Sequence, residues 1–125
     1  LELAEREAAA AERDLADNAA FAAAVAKFGG EDRVARVRTK MGQIHLRPMT
    51  GPEVDAAKKR VTAQKDDMGA ELAARDEIRK VVVYPAPERF AEIVAAFPLL
   101  WGDLSRARDA LISGLEDAAG KDDAR

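Results

Sequence analysis

From Leu1 to Phe28 the chain carries neither glycine nor proline, and alanine is its commonest residue there. Alanine is the strongest helix former and nothing in the stretch breaks the backbone, so residues 1–28 are constrained to one long helix. Gly29-Gly30 supplies the stop, because glycine enters a left-handed cap without a Cβ penalty. Inside the helix, Leu1, Ala4, Ala8, Ala11, Leu15, Asn18, Ala22 and Val25 recur at alternating spacings of three and four. That is a heptad seam whose knobs are mostly alanine. Two readings are open. The helix packs on the rest of its own chain through Phe21, Val25 and Phe28, or Leu15, Asn18, Ala22 and Val25 form an oligomerisation seam in which Asn18 sets the register.

The remainder is punctuated closely. "RVARVRTKMGQIHLR", residues 33–47, is a predicted β-hairpin with Val34, Val37, Ile44 and Leu46 as strand residues and Lys40-Met41-Gly42 as its turn. Ile44 and Leu46 share one face and must lie on a helix, since a lone hairpin is marginal. His45 and Arg47 fall on the other face, expected to be solvated. "TGPE", Thr50 to Glu53, is a capping box with proline in the first turn. Val54, Ala57, Val61 and Met68 continue a stripe with Lys58-Lys59-Arg60 turned outward, and Asp66-Asp67 with Gly69 predicts a break near 67–69. Leu72, Ile78 and Val82 resume the helix up to Pro85. The corner Tyr84-Pro85-Ala86-Pro87 separates it from a helix bearing Phe90, Ile93, Val94 and Phe97. Leu100, Leu104, Ala107, Leu111 and Leu115 form a last stripe, ending by Gly120. The expected fold is mainly α with a small β-hairpin (α+β): a helical arm at 1–28, a hairpin-plus-helices domain at 31–120, and a polar tail at 121–125.

The composition limits what this fold could do. One domain of 125 residues buries a modest core, and four Phe, one Trp and one Tyr are its large fillers. A charged fraction of 34% with a net charge of −3 fits a solvated helical exterior and argues against a dedicated nucleic-acid binder. Zero cysteines exclude disulfides, thiolate metal sites and a cysteine nucleophile. No apolar run approaches the roughly 18–20 residues needed to span a bilayer, so no membrane association and a cytoplasmic location are expected.

Catalytic chemistry finds little purchase. His45 is the sole histidine, and Ser105 and Ser113 sit in the last helix outside any nucleophile-elbow pattern. Acidic residues pair with neighbouring bases, as in Glu5/Arg6, Asp76/Arg79, Glu88/Arg89 and Asp103/Arg106, the ordinary dress of a helix surface. "GGED" at 29–32 follows a helix instead of a strand, so it is no dinucleotide loop. No enzyme, cofactor or metal site is expected. Arg33, Arg36, Arg38, Lys40 and Arg47 concentrate base on the hairpin, with Lys58-Lys59-Arg60 beyond it. No aromatic is interleaved to stack on bases, so protection of a strand edge or an acidic protein partner is the preferred reading.

"GQIHLRPMTGPE", "AARDEIRKVVVYPAPERFAEIVAAFP" and "LLWGDLSRARDALISGL" together resemble the phage tail assembly chaperone family in order and spacing, over roughly residues 31–120. Residues 1–28 lie outside the resemblance. It implies a non-enzymatic protein of the host cytoplasm that coats the helical tape-measure protein and helps recruit tail-tube subunits. Phe90, Phe97, Leu100 and Trp101, where exposed, are the expected partner contacts, with core packing as their alternative role. Two rival classes are a structural adaptor using the N-terminal helix as a coiled-coil arm, and a small nucleic-acid-binding regulator using the basic hairpin.

Overall fold

The computed structural model describes residues 2–123, with side chains through residue 114. Leu1 and the side chain of Leu115 therefore lie outside the described residues. Helix α1 spans Glu2–Phe28. It ends as the glycines dictate: the amides of Gly29 and Gly30 both donate to the Val25 carbonyl, and Gly29 takes φ 91°. A single 3₁₀ turn at Glu31–Arg33 leads into β1 (Ala35–Thr39) and β2 (Gly42–Leu46), antiparallel strands with Val37 opposite Ile44 and Thr39 opposite Gly42. In the turn the Thr39 hydroxyl accepts from the Met41 amide and donates to the Gly42 carbonyl, while Gly42 adopts φ 128°.

Helix α2 (Gly51–Thr62) opens on the full capping box: Thr50 Oγ1 accepts from the Glu53 amide, and the Glu53 carboxylate accepts from the Thr50 amide. Glu53 is also held in a two-pronged pair with Arg47, at 2.9 and 2.8 Å. Helix α3 (Asp67–Val81) follows after a short break, with Asp66 capping the Gly69 amide. It does not run on toward Pro85. At Val82 the backbone becomes extended and forms a third strand, β3 (Val82–Tyr84), antiparallel to β2. The β-branched Val81-Val82-Val83 run is the cause, since such side chains favour a pleated surface with a partner. The Tyr84–Pro85 peptide is cis. Helices α4 (Pro87–Ala96) and α5 (Leu100–Asp123) complete the chain. α5 passes through Gly120 to Asp123 instead of ending there, because one helical glycine costs only about 1 kcal/mol against alanine.

The fold is therefore mainly helical around a three-stranded antiparallel sheet in the order β1-β2-β3. β2 is central, and every residue of it is buried. Its Ile44 and Leu46 meet Met49, Ala57, Ile78, Val81, Phe90, Ile93, Trp101 and Leu104 in the main core, built from α2, α3, α4 and α5. Phe90 stands edge-on to Trp101, with ring centroids 5.7 Å apart. The opposite face of β2 is covered as well. There α1 lays Asp17, Phe21 and Ala24 over the sheet, and Phe21 and Ala24 join Val34 in a second, smaller apolar cluster. The sheet is sandwiched between helical layers, which corrects the expectation of a solvated outer face.

Candidate functional site

Two places in this sandwich gather side chains that packing alone does not account for. The first lies beneath α1. Asp17, only 2% exposed, accepts from the Tyr84 hydroxyl at 2.5 Å and from the Gln43 backbone amide at 3.1 Å. The Gln43 side chain donates to Asn18 Oδ1 at 3.1 Å and meets His45 Nε2 at 2.9 Å through its own oxygen. With the Gln43 oxygen facing it, His45 carries its proton on Nε2, and its buried Nδ1 has no partner among the described residues. The imidazole stacks on Tyr84 at 4.9 Å and meets Phe21 edge-on at 5.3 Å. Arg36 lies over the other ring, 3.6 Å from the Phe21 centroid.

Burial pushes the His45 pKa below its ordinary value, the Arg36 charge pushes it further down, and Asp17 opposes both. Tyr84 is pushed up to about 12, chiefly because its hydroxyl donates to the Asp17 carboxylate. His45 was expected on a solvated face and is instead fully buried. Sealed under α1, it touches neither solvent nor a substrate-sized opening, and its role here is to fasten β2 to α1 and β3. The sequence did hold a signal for this network: Asp17-Asn18 interrupts an alanine-rich helix one turn before Phe21.

The second place is an apolar cleft of about 240 Å3 between α2, α3 and α5. Met49, Val54, Ala57, Val61, Ala74 and Ile112 line it, and Lys58, Arg108 and Asp109 supply its polar edge. Arg108 donates to Asp109 at 3.2 Å, while its buried Nε has no acceptor among the described residues. The residue pattern marked one wall of this cleft, the Val54-Ala57-Val61 stripe of α2, but not the opening, which depends on how α2, α3 and α5 are placed.

Of the four candidate contact residues, three take the alternative of core packing. Phe90, Leu100 and Trp101 are buried in the main core, and Phe97 is half-buried against it. Arg75 and Arg79 further cover Trp101, at 5.3 and 5.0 Å from its ring centroid. Among the described residues, the exposed large apolar side chains are instead Leu3, Leu15, Met68, Leu72, Val83 and Leu99. Met68 and Leu72, expected within the inward stripe, face outward because α3 begins only at Asp67 and turns Ala73, Ile78 and Val81 to the core.

The buried stripe of α1, Asp17-Phe21-Ala24, lies one position off the expected seam. Of the seam residues, Leu15 and Ala22 are exposed, Asn18 holds Gln43, and Val25 packs on the small cluster. The basic hairpin is also divided. Arg47 is engaged by Glu53, and Arg60 by Asp76 and Glu77, leaving Arg38 and Lys40 exposed near the turn. Among the surface pairs, Asp76/Arg79 and Asp103/Arg106 form as expected, whereas Arg89 turns from Glu88 to Glu92 and the Met41 carbonyl.

Among the described residues no three His, Asp or Glu side chains converge to hold a metal ion, and no helix is long and apolar enough to cross a membrane. No family model, curated protein or solved structure matches the chain.

Proposed function

We propose that this chain is a non-enzymatic assembly chaperone that holds a helical protein partner, as phage tail assembly chaperones hold the tape-measure protein while tail-tube subunits are recruited. The observation that carries the reading is the α2–α3–α5 cleft, an open apolar recess rimmed by Lys58, Arg108 and Asp109. A reversible holder of helices needs that combination. Apolar side chains entering a groove supply affinity, and the charged surround keeps the unloaded protein dispersed. The tail assignment rests on the resemblance over residues 31–120, whose three segments supply β2 with the α2 cap, then α3 through α4, then the start of α5. In this reading Phe90, Leu100 and Trp101 act from beneath, by fixing where α4 and α5 sit, and the cleft makes the contact. Host cytoplasm is the site of action.

A structural adaptor is the second reading, favoured by one observation: the first half of α1 is exposed nearly all round. Co-expression separates the two. With the tape-measure and tail-tube proteins of the phage that encodes it, the chain is expected to keep the tape-measure protein soluble and to co-purify with it. Ala74→Glu, which sets a carboxylate in the cleft, is expected to abolish that capture. Failure to capture either protein, or equal capture by the Ala74→Glu variant, rejects the chaperone reading.

A further inference from the structure

Residues 2–16 of α1 form an arm, all exposed except half-buried Ala10, that meets its own chain at its base, where Arg13 and Asp14 border the hairpin beside Gly42. Such an alanine-rich helix comes close to supporting itself, so its helicity needs no partner. Its large apolar side chains are Leu3 and Leu15, exposed by 69% and 71%. Around them stand Glu2, Glu5, Glu7, Glu12 and Asp14 against Arg6 and Arg13. The arm therefore carries a net charge of −3, equal to the formal charge of the whole chain, and the rest of the molecule is balanced.

The α2–α3–α5 cleft has the complementary character. It is apolar inside, and its edge carries Lys58, Arg108 and Asp109, a net positive rim on which Arg108 already donates to Asp109. The arm cannot fill the cleft of its own chain. α1 is fastened by Asp17 and Phe21 to the Gln43–His45 face of the sheet, whereas the helices of the cleft cover the Ile44–Leu46 face. The arm's complement is therefore out of reach except on another copy.

We infer that the α1 arm of one copy docks in the α2–α3–α5 cleft of a second, with an arm leucine in the pocket and arm carboxylates against Lys58 and Arg108. This rests on the reading of the cleft as a helix receptor and adds its resting occupant. The contact joins two different surfaces, so it closes as a reciprocal pair or a ring, or runs on as a chain. A client helix entering the cleft displaces the arm, which makes client loading and self-association mutually exclusive.

Complementation in light scattering and analytical ultracentrifugation tests this on the full chain. The arm variant is Leu3→Asp with Leu15→Asp, and the cleft variant is Ala74→Glu. Each alone is expected to weaken self-association by at least ten- to a hundredfold, the worth of a buried leucine. Mixed together they are expected to associate again, because one retains the cleft and the other the arm. Lys58→Glu changes an exposed side chain outside the core and is expected to weaken association about tenfold, as is a rise in salt.

Self-association of the cleft variant at native strength means that α1 pairs with α1, as a heptad seam would, and overturns the inference. So does a native protein that stays monomeric at the highest concentration reached, or a Lys58→Glu variant that associates unchanged. The function reading fails separately. The arm variant has an open cleft and is expected to capture the tape-measure protein. If it does not while complementation succeeds, the chaperone reading falls and the docking of arm in cleft stands.

Discussion

His45 shows how far one residue's role depends on its cover. On a two-stranded ribbon its side chain would be wet, whereas beneath α1 it is neutral, stacked, and hydrogen-bonded on one nitrogen only. Protonation would place a charge near Arg36 and leave a buried donor on Nδ1 without an acceptor among the described residues. The folded-state pKa is lowered, so below the ordinary value of 6.5 the unfolded chain binds a proton that the folded chain refuses. Stability is then intact above that value and declines as pH falls through it, by at most about 1.4 kcal/mol per pH unit. Urea unfolding at pH 7.5 and 5.5 is expected to give a lower midpoint at 5.5, and His45→Gln is expected to remove that difference. Glu53 does not confuse the comparison: its pairing with Arg47 lowers its pKa from 4.5 to about 2, so its contribution to stability changes only as pH falls below 4.5. Equal pH slopes in native and variant proteins would contradict this account.

At the scale of elements, the sharpest question is how α1 is tied to the sheet. Three ties are visible: the apolar cluster of Phe21, Ala24 and Val34, the Asp17 carboxylate bridging Tyr84 of β3 and Gln43 of β2, and the Gln43 side chain donating to Asn18. The second reports on itself, because Tyr84 is the chain's one tyrosine. Its tyrosinate absorbance is expected to rise with a midpoint near 12 in the native protein. Asp17→Asn removes the carboxylate and is expected to return that midpoint toward 10. A native midpoint already near 10 would mean that the bridge does not form in solution. The sign for stability is opposite to that of His45. The raised Tyr84 value contributes stability below about 10, which is lost as pH climbs toward 12.

At the scale of the whole molecule, the core and the exterior are built from adjacent residues with opposite fates. Phe90, Leu100 and Trp101 close the main core, while Leu99, one residue from Leu100, is 91% exposed. Phe90→Ala is expected to cost about 3–5 kcal/mol, since it opens a cavity against Trp101, Ile93 and the sheet. Leu99→Ala is expected to change stability by less than about 0.5 kcal/mol. Equilibrium denaturation, followed by the fluorescence of the single tryptophan, measures both. Similar losses in the two variants would mean that the α4–α5 corner packs differently. The cleft and the arm belong to this scale too: neither has a meaning until the two helical layers are placed on opposite sides of one sheet.

Much of the chain was legible before folding, wherever the cause is local. The long α1 with its glycine stop, the hairpin and its turn, the capping box at Thr50, and the proline corner before α4 each follow from backbone preferences of a few neighbouring residues. What was not legible depends on partners distant in the chain. Val82–Tyr84 is a strand because β2 offers it an edge 36 to 39 residues earlier, and His45 is buried because a helix lying more than 20 residues before it folds across the sheet. On α1 two readings were open, packing on its own chain through Phe21, Val25 and Phe28 or a seam through Leu15, Asn18, Ala22 and Val25. The small cluster on the sheet realises the packing. Alanine repeats fit either face, and only the sheet beneath selects Asp17, Phe21 and Ala24. Sequence alone determined which segments are helices and turns, through local sterics and capping. Tertiary structure decided which faces they bury, because burial is a property of pairs of surfaces and not of either one.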